Sequence, residues 1–368
     1  MVRESSVGFA PVTVLVEPSP GSEPPAGDEA PSPRVGSRDW LRLHQPKRRT
    51  IVGWAIYLAL LAAYISRYGI PFLEDDLLLW VTGAVFVSCL GDLGRFRRGF
   101  LRDWLPLYVV LGLYALLRGY ADHLLFSTHI YPQMRFDEWI AWGVAPTVRL
   151  QRDFFRPDNL HIWDYLAWAT YLTHFFLSFV LAGVLWVRDH KAFRRFMGLY
   201  VTLMLSGFVT YVLYPAMPPW MASKEAYMGA SSRVVPVVFS NLGIHWAAAV
   251  FETGSKFNND VAAVPSLHAA CPMLICLFFF PRVRKTWLKV LLVAYVPAMA
   301  LALVYTGEHF VFDIIIGWIY ALVVYFGGSW VADRWAERRQ RRARERAGGA
   351  PEPGGVRLDP QLDPAPAD

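Results

Sequence analysis

Two short polar clusters lie in otherwise apolar stretches of this sequence, and each contains a histidine. The first cluster runs from Asn258 to Ala270 and includes Pro265, Ser266 and His268. Proline followed by serine suits the start of a helix, and the N–H groups of a first helical turn, together with a serine hydroxyl, make a small anion site. We therefore expect Ser266 to help bind an anion and His268 to stand at the edge of that site, ready to give a proton.

The second cluster runs from Tyr305 to Asp313 and places His309 four residues before Asp313. On a helix that spacing puts both side chains on one face, where a carboxylate can orient an imidazole and support positive charge on it. For a nucleophilic imidazole the most apt electrophile is phosphorus, since a phosphohistidine forms and breaks readily. The two clusters therefore indicate an acid and a nucleophile for phosphorus chemistry.

The composition places these clusters in a membrane protein. The chain has 368 residues, 55% of them hydrophobic and 18% charged, whereas soluble proteins average about 45–50% and about 25%. We predict an all-α integral membrane protein with about eight transmembrane helices. The apolar segments lie near 51–66, 76–91, 104–120, 162–187, 196–214, 265–280, 289–305 and 310–332, and each is long enough, or nearly so, to cross a bilayer.

The basic residues predict which side each connection faces. They cluster in every second connection, a pattern typical of the cytoplasmic side, in the stretches Lys47–Arg49, Arg95–Arg102, Arg188–Arg195, Arg282–Lys289 and Arg334–Arg346. Both termini are therefore predicted to be cytoplasmic in a multi-pass protein of the cell membrane. The sixth and eighth spans then both descend from outside, so His268 and His309 arrive at one depth on the extracytoplasmic side.

Three regions are predicted along the chain. Residues 1–46 contain eight prolines and are expected to be a disordered cytoplasmic tail without a secretory signal. Residues 47–335 are expected to form the membrane catalytic domain. Residues 336–368 are basic and then rich in Gly and Pro, as in a second cytoplasmic tail. The apolar stretch 234–251 is interrupted by Pro236, so we interpret it as an interfacial or re-entrant helix and not as a ninth span.

Phosphate binding requires cations on the outer side of the membrane. The candidates are Arg118, Arg135, Arg149, Arg152, Lys224, Arg233 and Lys256. Arg118 is favoured because it ends an apolar span at the right depth, although an arginine that snorkels to the interface would look the same. Together with Ser266, Asn259 and Tyr305, the residues Arg118, Lys224 and Arg233 form the predicted substrate-binding set.

Other readings of these residues remain open. Each histidine alone could be a buried packing residue, but the combination of two histidines and an aspartate in spans favours function. A metal would need a further strong ligand that the pattern lacks, so we expect neither a metal nor a cofactor. A transporter that relays protons would have ionisable residues strung through several spans. His174, mid-span, is interpreted as a packing residue. The arginine-rich tail favours a membrane surface over nucleic acid.

The motifs resemble those of a known family. Pro265-Ser266-Leu267-His268-Ala269 and Gly307-x-His309-x3-Asp313 are similar to the second and third motifs of the phosphatidic acid phosphatase type 2 superfamily. Tyr214 to Trp220 adds a likeness to its inositol phosphorylceramide synthase branch. The resemblance, which covers about residues 100–313, implies a six-helix core of phosphatase or phosphotransferase type. It further implies that His309 attacks phosphorus, Asp313 holds it and His268 protonates the leaving oxygen.

The sequence also departs from that family. Its soluble-like members carry a Lys and an Arg-Pro pair as a first motif, which is missing here, and an Arg six residues before the nucleophile, where this chain has Leu303. A phosphodiester therefore fits better than a dianionic phosphate. We predict transfer of a phospho-head group, such as phosphoinositol, from a donor lipid to a hydroxyl acceptor. The alternative is an outer-leaflet phosphatase acting on phosphatidic acid or an isoprenoid phosphate. Membrane lipids are the expected partners, and the oligomeric state stays open.

Overall fold

Every regular element in the described part of the chain is a helix. The computed structural model describes residues 48–68, 74–91, 93–110, 112–113, 127–253 and 261–348, which belong to one compact unit, Lys47–Asp368. The α-helices are α1 (Arg48–Tyr68), α2 (Glu74–Ser88), α3 (Leu93–Gly99), α4 (Tyr131–Ile140), α5 (Pro146–Phe154), α6 (Ile162–Arg188), α7 (His190–Leu213), α8 (Pro219–Lys224), α9 (Val234–Asn241), α10 (His245–Thr253), α11 (Leu267–Phe279), α12 (Thr286–Tyr305) and α13 (Val311–Gly348), and a π-helical segment, Phe100–Trp104, follows α3. The predicted all-α fold is confirmed.

Five of these helices are long and apolar enough to cross a membrane. They are α1, α6, α7, α12 and the Val311–Val331 part of α13, and they match the first, fourth, fifth, seventh and eighth predicted spans. The chain is therefore a multi-pass membrane protein. Helix α13 continues without a break past residue 335, where the sequence predicted the end of the membrane domain, to Gly348.

The remaining three predicted spans are shorter or lie partly outside the described residues. The second and sixth correspond to the short apolar helices Leu79–Ser88 and Leu267–Phe279. The third, near 104–120, includes residues outside the described ranges, as does all of the predicted tail 1–46. Helix α11 has 13 residues, which gives a length of about 20 Å against a hydrocarbon core of about 30 Å. Helix α11 is therefore too short to cross the hydrocarbon core by itself.

Helix α11 lies at the centre of the bundle. Its buried side chains, including Leu267, Cys271 and Leu274, pack with those of α6, α7 and α13 in the largest apolar cluster. Close approach to α13 requires a glycine, because a Cβ at Gly317 would collide with the carbonyl oxygen of Ser266. The backbone N–H of Ser266 also donates to the carbonyl of Asp313 at 3.0 Å. The starts of α11 and α13 are thereby held side by side.

Short helices cover the end of the bundle at which α11 and α13 begin. The N–H of Trp220, in α8, donates to Gly307 at 3.1 Å, and that of Val234, in α9, donates to Thr306 at 3.1 Å. We call the turn 306–310 with α4, α5 and α8–α10 the capped end. The apolar stretch 234–251, which we interpreted as interfacial or re-entrant, forms most of two short helices, α9 and α10, separated at Gly243, which has a φ of +76°.

Candidate active site

Three predicted catalytic side chains form a line at the capped end. The Nδ1 atom of His268 lies 3.2 Å from the Nε2 atom of His309. On the other side of the same ring, Nδ1 of His309 lies 3.3 Å from Oδ2 of Asp313. His309 and Asp313 are buried, with relative exposures of 4% and 0%. Residues 41 positions apart in the chain therefore meet in one hydrogen-bonded array.

Ser266 places His268 in the first turn of α11. Its hydroxyl oxygen accepts a hydrogen bond from the N–H of Ala269 at 3.2 Å and so caps the helix, as expected for serine at this position. The predicted helix start at Pro265 and Ser266 is confirmed. One N–H group of the expected anion site, that of Ala269, is however taken by Ser266 itself.

His309 precedes the helix that carries Asp313. We expected both residues on one helical face, but α13 begins only at Val311, and the turn before it contains Gly307 with a φ of +78°. Asp313 instead reaches back from the first turn, where its Oδ2 also accepts from the N–H of Phe310 at 2.9 Å. The carboxylate thus caps its own helix and contacts the imidazole with the same oxygen. The expected contact is present, although its geometric reason was wrong.

The protonation of His309 suits a nucleophile. The pKa of His309 is lowered from 6.5 to about 4, mainly by burial. The nearby Arg233 acts in the same direction and Glu308 in the opposite one. The imidazole is therefore neutral at pH 7. The proton placement that satisfies both contacts has His309 donating from Nδ1 to Asp313 and His268 donating from Nδ1 to Nε2 of His309.

The contact between the two rings leaves no room for a phosphorus atom. Reacting atoms approach to about 3–3.5 Å in a near-attack arrangement, and the two nitrogens are 3.2 Å apart. If His309 is the nucleophile, the two rings must therefore separate when a substrate binds.

Aromatic side chains of α6 hold the ring of His268 from behind. Tyr171 stacks on it with a centroid distance of 5.1 Å, and His174 lies against it at 4.1 Å. We interpreted His174 as a packing residue, and its ring packs on that of His268 in the candidate site. His174 lies 12 residues after the start of α6, which is about 18 Å along the helix axis. The histidine pair is therefore recessed from the capped end of this helix.

An arginine is bound to the residue that precedes His309. Arg233 forms a two-point ion pair with Glu308, with Nε–Oε1 and Nη2–Oε2 distances of 2.8 and 3.1 Å, and its guanidinium carbon lies 4.8 Å from the centre of the Trp220 ring. Glu308 precedes His309 in the chain. Of the predicted cations in the described part of the chain, Arg233 is thus the one that is bound through Glu308 to the turn containing His309.

The other predicted substrate residues are placed differently. The hydroxyl of Tyr305 donates to the buried Asp164 of α6, and its described contacts do not bring it to the imidazoles. Lys224 is exposed at the end of α8. Arg118 and Asn259 lie outside the described residues, so their predicted roles stay predictions.

Two buried residues that the sequence analysis did not single out form hydrogen bonds next to the turn that contains His309. Gln151 donates to the carbonyls of Ser232 and Tyr305 at 2.9 and 2.7 Å and accepts from the N–H of Ser232 at 2.7 Å. Asp137 accepts from the first N–H groups of α13. Both residues lie in connecting segments where other polar residues are common, so the sequence alone carried no signal that distinguished them.

The fold and the site define an all-helical membrane protein with a paired-histidine centre. Residues 134–327, more than half of the chain, match the family model described as the PAP2 superfamily. The chain belongs to the PAP2 superfamily, and the resemblance noted from the motifs is confirmed.

Two curated proteins are similar to part of this chain. The inositol phosphorylceramide synthase catalytic subunit of Saccharomyces cerevisiae is 30% identical over 173 residues, which cover 44% of this chain and 41% of that protein. The phosphoinositol dihydroceramide synthase of Bacteroides thetaiotaomicron is 27% identical over 135 residues, 35% of this chain and 43% of that protein. The matches thus span less than half of each relative. No solved structure matches the chain.

Proposed function

We propose that this protein is a lipid phosphotransferase that moves a phospho-head group, phosphoinositol in the first instance, from a donor lipid to the hydroxyl group of an acceptor. The observation that carries the proposal is the line formed by His268, His309 and Asp313, with contacts of 3.2 and 3.3 Å. It combines an imidazole that is neutral at pH 7, a carboxylate to stabilise its charge, and a second imidazole to handle the proton. The names of both relatives support the choice of head group.

The first half of the reaction forms a phosphohistidine. The Nε2 lone pair of His309 attacks phosphorus, a bond forms between that nitrogen and phosphorus, and the bond from phosphorus to the lipid oxygen breaks. His268 enters this step as imidazolium. The leaving oxygen takes the proton from its Nδ1, and His268 becomes a neutral imidazole. Asp313 accepts the hydrogen bond from Nδ1–H of His309 and so stabilises the positive charge on the ring.

The second half returns every group to its starting state. The acceptor hydroxyl gives its proton to His268 while its oxygen attacks phosphorus, and the bond between phosphorus and His309 breaks with its electron pair returning to Nε2. The product is a phosphodiester of the acceptor. Since the proton lost in the first half is regained in the second, the exchange requires no cofactor for proton balance.

The charges around the site favour a phosphodiester as donor. Arg233 is the cation attached to the turn of the nucleophile, and Glu308 neutralises part of its charge through two hydrogen bonds. Leu303, where the superfamily's motif carries an arginine, is fully buried in an apolar cluster. One partly neutralised arginine matches a monoanionic phosphodiester better than a dianionic phosphate.

Burial of the site favours transfer over hydrolysis. His309 is 4% exposed beneath the capped end, and a covered, apolar site limits the entry of water while an acceptor lipid enters from the bilayer.

We place this end at the outer face of the membrane, because the basic connections adjoin the opposite ends of the spans. The second candidate is an outer-leaflet lipid phosphatase, since water is small and present at every interface.

The test supplies purified protein in nanodiscs with head-group-labelled phosphatidylinositol and a series of lipid alcohols. We expect the label to move into a new lipid, and the His309→Ala variant to make none. If the label appears only as water-soluble phosphate or inositol phosphate, whatever acceptor is offered, the transferase proposal is wrong and the phosphatase takes its place. If no product forms with any donor, a transporter must be considered.

A further inference from the structure

A buried carboxylate outside the catalytic line binds the helix that carries Asp313. Asp137, in α4, has no exposed surface. Its Oδ2 accepts a hydrogen bond from the N–H of Val311 at 2.9 Å, and its Oδ1 accepts one from the N–H of Phe312 at 3.1 Å. Both oxygens of one side chain are therefore engaged with two successive N–H groups of α13.

These N–H groups are ones that a helix cannot satisfy by itself. The first turn of any helix leaves its N–H groups without intrahelical acceptors, and a side chain near the start of the same helix usually supplies one. In α13 the carboxylate of Asp313 takes the N–H of Phe310, and the next two N–H groups go to a residue 174 positions away in the chain. The start of α13 is thus capped by one carboxylate of its own and one from α4.

Apolar contacts of neighbouring residues on α4 hold Asp137 against the start of α13. Its neighbour Phe136 packs edge-on against the ring of Phe312 with a centroid distance of 5.5 Å. Met134, one turn before Asp137, is buried in an apolar cluster with Phe310. Burial raises the pKa of Asp137 to about 7, and the hydrogen bonds from Val311 and Phe312 act in the opposite direction. The hydrogen bonds from the start of α13 therefore favour the charged form of Asp137, although burial has the larger effect on its pKa.

The two hydrogen bonds from Asp137 lie between His309 and Asp313 in the chain. Val311 follows His309 by two residues, and Phe312 is the residue immediately before Asp313. A shift of the first turn of α13 therefore moves both catalytic side chains. The contact between His309 and Asp313 is already 3.3 Å long, so a small displacement would break it.

We propose that Asp137 is a positioning residue for the reaction, which holds the first turn of α13 so that Asp313 stays within hydrogen-bonding distance of His309. This inference rests on the proposed function of that pair. The hydrogen bonds of Asp137 lie on α13, so the pair formed by His309 and Asp313 is the first to respond when they are lost. A displacement of about 1 Å in a catalytic group can reduce the rate about 100-fold.

The test compares Asp137→Asn with Glu138→Gln in the full-length protein in nanodiscs. Asparagine keeps the shape of the side chain and one acceptor but loses the other, whereas Glu138 is the next acidic residue on α4 and is not fully buried. We expect kcat to fall about 10- to 100-fold in Asp137→Asn with KM nearly unchanged, and Glu138→Gln to match the wild type. The loss should persist with a donor that has a good leaving group, because protonation by His268 is then not needed.

A double variant separates positioning from stability. If Asp137 acts through Asp313, the change Asp137→Asn should cost much less in an Asp313→Asn background than in the wild type. Wild-type kcat in folded Asp137→Asn, or full additivity of the two changes, would overturn the inference. If Asp137→Asn does not fold, Asp137→Ser replaces it in the test, because serine keeps a hydroxyl acceptor. If neither variant folds, Asp137 is a residue required for stability only, and the inference is overturned.

The outcome can be told apart from that of the proposed function. The ratio of variant to wild-type turnover is measured on whichever product the wild type makes, transfer or hydrolysis. If the wild type only hydrolyses its donor, the transferase proposal fails while the ratio still tests Asp137. If the wild type transfers the head group and Asp137→Asn does so equally fast, only the inference about Asp137 fails.

Discussion

The guanidinium of Arg233 and the carboxylate of Glu308 form two hydrogen bonds of 2.8 and 3.1 Å. Glu308 is the residue immediately before His309 in the chain. Trp220 covers one face of the guanidinium. The pair is mostly buried, with side-chain exposures of 15% and 6%. A cation whose plane is fixed in this way can present its remaining N–H groups to phosphate oxygens in a defined direction.

Replacement of Arg233 by lysine should therefore weaken catalysis although the charge is kept. Lysine cannot make the two-point contact or lie flat on Trp220, and loss of one charged hydrogen bond costs about 1.5–3 kcal/mol. We expect kcat/KM to fall about 10- to 100-fold. The matched control is Arg152→Lys, since Arg152 is exposed and pairs with the adjacent Asp153. Equal losses in the two variants would contradict a specific role for Arg233.

The acid role of His268 predicts a dependence on the leaving group. His268→Ala should reduce turnover of a natural lipid donor about 10²- to 10⁴-fold, the usual contribution of a general acid. The loss should shrink with a donor whose leaving group has a low pKa, because such an oxygen needs no proton. Measurement of kcat for both donors in the variant and the wild type gives the comparison. A loss of the same size for both donors would remove His268 from the acid role.

The protonation of His309 predicts how the nucleophile responds to pH. Burial lowers its pKa from 6.5 to about 4, so the folded protein keeps the ring neutral while the unfolded chain takes up a proton below about 6.5. Stability linked to this group is complete above pH 6.5 and falls as the pH drops toward 4. Because Asp137 titrates near pH 7, the test uses the double variant His268→Ala with Asp137→Asn and a good leaving group, and its rate should stay flat from pH 7 to 5. A decline centred near pH 6.5 would show that His309 titrates normally.

The basic connections predict the side on which the site opens. A cysteine that replaces Lys224, exposed at the capped end, should react with an impermeant maleimide added to intact cells. One that replaces Arg284, exposed between α11 and α12, should react only after the membrane is opened. Labelling of the Arg284 position alone would invert the orientation and place the chemistry in the cytoplasm.

The sequence could predict those parts of the fold that depend on composition and local pattern. Long apolar stretches fix membrane-spanning helices, because an unpaired backbone cannot remain in lipid, and a proline followed by serine fixed the start of α11. The candidate catalytic residues could also be recognised from the sequence, since His268, His309 and Asp313 are ionisable groups in apolar surroundings. The contact between His309 and Asp313 was predicted correctly even though α13 begins only at Val311, after His309.

The rest could not be predicted because it depends on contacts between distant segments. Asp137 and Gln151 are polar residues in polar connections, and only the folded chain shows that they bind the ends of α12 and α13. Arg233 was one of seven candidate cations, and its ion pair with Glu308 distinguishes it. Tyr305 looked like a site residue from its place in the motif, but its hydroxyl donates to Asp164.

The most direct test of the account is to trap the covalent intermediate. The wild-type protein is mixed with a phosphoinositol donor that has a good leaving group, without an acceptor lipid, then quenched under alkaline conditions and analysed by peptide mass spectrometry. We predict a phosphoinositol adduct on His309 that is lost when an acceptor lipid is added before the quench. It should be absent from His309→Ala and much reduced in Asp313→Asn. An adduct on His268 or on another residue, or turnover in His309→Ala equal to that of the wild type, would contradict the central claim.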